Sequence, residues 1–169
     1  MKRMILSALV LSCFAMNSNA QATATATATA TIVTPISITK NVDMNFGNIA
    51  VQASAGGVVI LHPNGSRSLT GTGVTLPAAA GTVTAADFTV NGNGNYTYAI
   101  TLPASTILTI TGGGSDVMTA DTFTSTPNGV GTLSSGTDDL TVGASLHVAA
   151  AQTAGTYISS NFNVTVNYN

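Results

Sequence analysis

This chain is poor in charge. Of its 169 residues only 6% are Asp, Glu, Lys or Arg, against about 25% in an ordinary soluble domain. Glutamate and tryptophan are absent, there are two histidines, and the one cysteine is Cys13. Each shortage excludes something. Four bases cannot build the basic face with which a nucleic-acid binder displaces counterions, so nucleic acid is not an expected partner. Convergent acid–base catalysis needs titratable groups that this chain barely has. No Gly-x-Ser-x-Gly elbow marks a nucleophile. The run Asn91-Gly92-Asn93-Gly94-Asn95 lacks the Lys-Ser/Thr that completes a phosphate loop. No enzyme is expected. His62 and His147 have no companions at metal-ligand spacing. Asp116 and the pair Asp138-Asp139 fit no calcium-loop spacing and read as turn residues. No metal or other cofactor is expected.

The first twenty residues give a destination. Lys2 and Arg3 precede an apolar run from Met4 to Met16, and Ser18 and Ala20 supply the small residues of a cleavage site. Residues 1–20 therefore read as a Sec-type signal peptide cut after Ala20, which sends the protein to the periplasm, the cell surface or the medium. The apolar run is shorter than the roughly 20 residues of a membrane span, so no membrane span is expected. Val10-Leu11-Ser12-Cys13 loosely resembles a lipid-attachment box, but Leu11 is bulky for its place, which disfavours a lipid anchor at Cys13. Cleavage leaves 169 − 20 = 149 residues with two bases (Lys40, Arg67), six acids and no cysteine, a net charge of 2 − 6 = −4. A chain of this size buries close to 70% of its unfolded surface without disulfides. Leu, Ile, Val and Phe make up 35 of the 149 residues, above the ~20% below which highly charged chains stay unfolded.

What the sequence has in quantity is threonine, 28 residues, together with valine and isoleucine. Their β-branched side chains suit pleated surfaces. Turn signals recur at Pro63-Asn64-Gly65, Asn91–Asn95, Gly112-Gly113-Gly114, Pro127-Asn128-Gly129 and Ala154-Gly155. Short strands punctuated in this way predict an all-β sandwich. The expected strands are Ala22–Val33, Ile36–Thr39, Met44–Val51, a hairpin of Val58–Leu61 with Arg67–Thr70, then Thr82–Val90, Tyr96–Leu102, Thr106–Thr111, Val117–Ser125, Leu140–Ala149 and Phe162–Tyr168. Residues 34–169 form the expected single domain, preceded by an arm or edge strand over 21–33. Tyr96 and Tyr98, two apart on one strand face, suit either core packing or stacking on sugar rings.

Both ends of the mature chain alternate. Ala22, Ala24, Ala26, Ala28, Ala30 and Ile32 share one face of an extended chain and threonines share the other. Ten such residues reach about 33 Å. This is either a loose tail or edge strand, or an arm that pairs with a neighbouring subunit. At the other end Phe162, Val164, Val166 and Tyr168 face one way, and Asn161, Asn163, Thr165, Asn167 and Asn169 the other. That pattern predicts a half-buried strand reaching the C-terminus, either purely a core strand or also a site for chaperone docking or subunit pairing.

The Ala-Thr repeat, Thr34-Pro35-Ile36, Asp43-Met44-Asn45-Phe46-Gly47-Asn48, Gly81–Val90, Tyr98–Pro103 and the closing Val164-Thr165-Val166-Asn167-Tyr168-Asn169 together resemble a bacterial secreted family known only as a domain of unknown function. That family is in turn similar to chaperone–usher fimbrial subunits and spore-coat U proteins, through Asn45-Phe46-Gly47, Gly155 ahead of the last strand, and the next-to-last aromatic Tyr168. The resemblance implies an immunoglobulin-like, fimbrial-subunit-like β-sandwich completed by a neighbour's N-terminal arm. It implies Ala22–Ile32 as that arm and Phe162–Tyr168 as the strand that a periplasmic chaperone or another subunit reads. Unlike those subunits, the mature chain has no disulfide, and its arm presents alanine where theirs insert larger groups. The expected function is a secreted, surface-associated structural subunit of a fimbria-like or coat-like assembly, with self-association or a periplasmic chaperone as its partners. The alternative is an extracellular adhesive or glycan-binding module without catalysis.

Overall fold

The computed structural model describes residues 21–169, so the expected signal peptide and Cys13 lie outside the described residues. Val33–Asn169 form one compact unit whose regular elements are all strands. They are β1 (Ser37–Val42), β2 (Ala50–Val51), β3 (Gly57–Leu61), β4 (Arg67–Thr70), β5 (Val74–Thr75), β6 (Ala86–Asn91), β7 (Thr97–Thr101), β8 (Ser105–Ile110), β9 (Val117–Thr126), β10 (Val130–Thr132), β11 (Thr137–Val148), β12 (Tyr157–Ser159) and β13 (Thr165–Tyr168).

The unit is a β-sandwich of antiparallel sheets. The larger sheet runs β1-β6-β11-β9-β8-β12, and the hairpin β3–β4 joins it along β11. The long central strand β11 thus serves two partners on one side. Its first half pairs with β6 and its second half with β3. The smaller sheet is β10-β7-β13. One core cluster, with Phe88, Val90, Tyr98, Leu133, Leu140, Val142 and Val166, joins the two sheets. The other gathers Phe46, Val59, Leu61, Val74, Leu146 and Val148 under the β3 side. Alternate residues of β6 and β11 point inward, as the period of two requires.

Local sequence explains much of this. The hairpin expected around Pro63-Asn64-Gly65 is present. The His62 and Ser66 backbones close it, and Asn64 Oδ1 accepts from the Ser66 amide at 3.0 Å. Phe46 is buried, but the expected strand Met44–Val51 is reduced to a bridge at Asn45 and the two residues of β2. Between them the backbone has a side-chain partner instead of a strand. The Arg67 guanidinium donates to the carbonyls of Phe46 and, at 3.0 Å, Asn48.

Residues 21–32, outside this unit, correct another expectation: they form no strand, and each is exposed. Fixing a backbone residue costs about 1–2 kcal/mol, whereas burying a methyl-sized group returns about 0.8 kcal/mol. A face of alanines cannot hold an extended strand unless its backbone gains partners as well.

Candidate pairing surface

The C-terminal strand is laid out as its alternation predicts. Val166 is buried, and Phe162, Val164 and Tyr168 are half-buried against the same core, while Asn161, Asn163, Thr165, Asn167 and Asn169 are exposed. The ladder covers only the last part of the segment. Strand β13 pairs with β7 from Thr165–Thr101 to Tyr168–Tyr98, and residues 161–164 are outside it.

The hydrogen-bonding phase of this ladder fixes which backbone groups are free. The Asn169 amide donates to the Thr97 carbonyl at 3.3 Å, so positions 165, 167 and 169 point their N–H and C=O groups at β7. In an antiparallel pair the residues between them point the other way. The backbone groups of Val166 and Tyr168 therefore face outward on a strand with no second neighbour among the described residues. Strand β1 is likewise an edge, pairing only with β6.

These two open edges lie close together. The Tyr168 hydroxyl donates to the Thr34 carbonyl, just ahead of β1, at 2.8 Å, and accepts from the Asn93 amide at 2.6 Å. Its ring meets that of Tyr96 edge-on, with centroids 5.7 Å apart. Gly92 makes the approach possible, because a Cβ there would sit 2.3 Å from the Tyr168 hydroxyl. Along the seam between the edges, Ile36 and Ile38 from the β1 side and Val164 and Tyr168 from the β13 side are only half-buried. The core is thus incompletely covered where two strands offer unused hydrogen-bonding groups.

The other half of the expected surface belongs to the separate stretch. Ala22, Ala24, Ala26, Ala28, Ala30 and Ile32 are all exposed and unpaired, Ile32 at 97%. The sequence missed the contribution of β1 to the seam, although Ile36-Ser37-Ile38-Thr39 alternates as clearly as the C-terminus does.

The remaining candidate groups have structural partners. Tyr98 is fully buried, while Tyr96 precedes β7 and is 46% exposed, so the two do not form an exposed aromatic pair on which a sugar could stack. The Tyr98 hydroxyl donates to Asp138 at 2.9 Å. Burial, and then the Asp138 carboxylate, push its pKa well above the usual tyrosine value. His62 Nε2 lies 2.9 Å from the Ser68 hydroxyl, and His147 Nε2 lies 2.9 Å from Asp121. That bond to His147 holds the Asp121 carboxyl below its ordinary range. Among the described residues no three His, Cys, Asp or Glu side chains gather to hold a metal ion. Nor is any helix there long and apolar enough to cross a membrane.

A family model described as Domain of unknown function (DUF4402) matches residues 36–168. It begins just ahead of β1 and ends with β13, so it takes in both edges of the seam. Among curated proteins none matches the chain.

Proposed function

The chain belongs to this family, and from the open seam we propose that it is a secreted, non-catalytic structural subunit of a fimbria-like or coat-like surface assembly, joined to its neighbours by β-strand addition. The signal-peptide pattern of residues 1–20 supports secretion. One observation carries the joining step: the outward-facing backbone of Val166 and Tyr168 beside the half-buried apolar seam between β1 and β13. An added strand satisfies those groups on one side and covers the seam with alternate side chains. Ala22–Ile32 of another copy has the right character. It is exposed and long enough, and its small alanine face suits a seam already half closed. Natural edge strands are usually guarded by charge, lysine above all. β13 carries none, and β1 has Lys40 alone, engaged with Asp43 at 2.5 Å. In the periplasm, a chaperone that holds the same edge before assembly fits this arrangement.

The test is the association state of the mature protein with and without residues 21–32. The intact chain is expected to form multimers in sedimentation and electron microscopy, and the shortened chain to stay monomeric and folded. An intact mature chain that is strictly monomeric at every concentration reached sinks the proposal.

A further inference from the structure

On the far side of β13 from the seam, the strands part and rejoin. Thr101 pairs with Thr165 in the smaller sheet, and Leu108 pairs with Ser159 in the larger one. Between these closures both segments switch sheets, one through residues 102–104, after which 105–107 pair only with β9, and the other through 160–164. A cleft of about 570 Å³ lies in the opening. Strands that change sheets make the corners of a sandwich; here two do so side by side without pairing. The backbone of 161–164 bonds no other backbone group among the described residues.

The lining has one chemical character. Leu102, Ile107 and Phe162 give it apolar walls, and Ser105, Asn161 and Asn163 are among its polar groups. No Asp, Lys, Arg or His lines it. Hydroxyls and amides both donate and accept, which matches the hydroxyl groups of a sugar. Phe162, held at 5.2 Å from Phe123, supplies a rigid half-buried ring for the C–H face of a pyranose. The volume falls within the roughly 300–1,000 Å³ of ordinary ligand sites. Charged ligands find no counter-charge here. An extended peptide running along the ladder is blocked at both ends by the paired strands.

We propose that this cleft is a binding site for a neutral saccharide, separate from the edge that takes the added strand. The protein then both joins an assembly and presents a glycan site on each copy.

The test is amide NMR of the mature chain titrated with uncharged hexose and N-acetylhexosamine oligosaccharides, an anionic oligosaccharide, and a peptide of residues 21–33. A neutral oligosaccharide is expected to shift the amides of 102–107 and 160–164, equally at about pH 5 and pH 8, since no lining group titrates between them. The double variant Asn161→Ala/Asn163→Ala changes two exposed side chains and is expected to keep the thermal midpoint while weakening that binding at least tenfold. The inference is overturned if no neutral oligosaccharide shifts these amides at about 10 mM, roughly tenfold above a weak 1 mM dissociation constant. It is equally overturned if the double variant binds unchanged, if the anionic sugar binds more tightly, or if the peptide occupies the cleft. A peptide that instead shifts Val166 and Tyr168 bears on strand addition alone.

Discussion

Tyr98 shows how one residue ties the sandwich together. It lies on the middle strand of the smaller sheet, is fully buried, and reaches the larger sheet through its hydrogen bond to Asp138 on β11. Gly131 on β10 has no side chain because the Tyr98 ring fills the space, with a Cβ there only 2.2 Å from Cζ. Because burial and Asp138 raise its pKa, the folded protein keeps the phenol proton at pH values where the unfolded chain has lost it. The stability this contributes is complete below the ordinary tyrosine pKa of about 10 and is lost as pH rises through and beyond it. Urea unfolding followed from pH 8 to 11 should therefore show a loss of stability above about pH 10. Tyr98→Phe should lose about 1 kcal/mol at neutral pH through the missing hydrogen bond and show a smaller alkaline decline. An alkaline decline of equal size in the variant would assign it to other groups. Asp121 acts in the opposite sense. Its depressed pKa contributes stability above the ordinary carboxylate range, and that contribution disappears as pH falls below it, but its partial exposure to solvent keeps the effect small.

At the scale of elements, the phase of the last ladder yields a sharp expectation. In the monomer the amides of Val166 and Tyr168 face away from β7, while those of Asn167 and Asn169 are bonded to it. Hydrogen exchange should find the first pair fast and the second slow. On assembly the first pair should slow at least about tenfold while the second changes little. Unchanged exchange at Val166 and Tyr168 in assembled material would place the joint elsewhere. This strand was legible because its pattern is local: Phe162, Val164, Val166 and Tyr168 alternate with asparagine and threonine. The β3–β4 hairpin was legible for the same reason, through its turn residues. Other features lie beyond a local pattern. β5, β10 and β12 have two or three residues each, too few for any period. Ser37 pairs with Asn91 across more than fifty residues, a partnership decided by packing. The Ala/Thr stretch misled for a physical reason, since perfect alternation specifies which way side chains would point in a strand but supplies no energy to form one. For Tyr96 and Tyr98 the core-packing reading holds at Tyr98 alone: the strand begins between them, so one is core and the other surface.

At the scale of the whole molecule, the arm and the seam are different surfaces, so copies joined through them meet head to tail. Such heterologous contacts build open filaments unless the rotation between copies closes a ring. A chain lacking residues 21–32 keeps the receiving edge but has nothing to donate. Mixed with intact protein, it should take up one arm and end the filament there, so a small fraction of shortened chains should reduce the mean filament length steeply while leaving total strand content unchanged. Copies joined face to face, through sheet surfaces, would respond differently. The shortened chain would then enter the assembly as a full member, and length would be insensitive to its fraction. Length distributions by electron microscopy across a series of mixing ratios separate the two cases. The low charge of residues 21–169 has its clearest consequence here. Lys40 is the only charged residue on the two strands that flank the seam, so little charge guards the edge against the approach of the next copy's arm. If copies join in the proposed way, the direction of growth is set by which copy holds an arm and which holds an open β13.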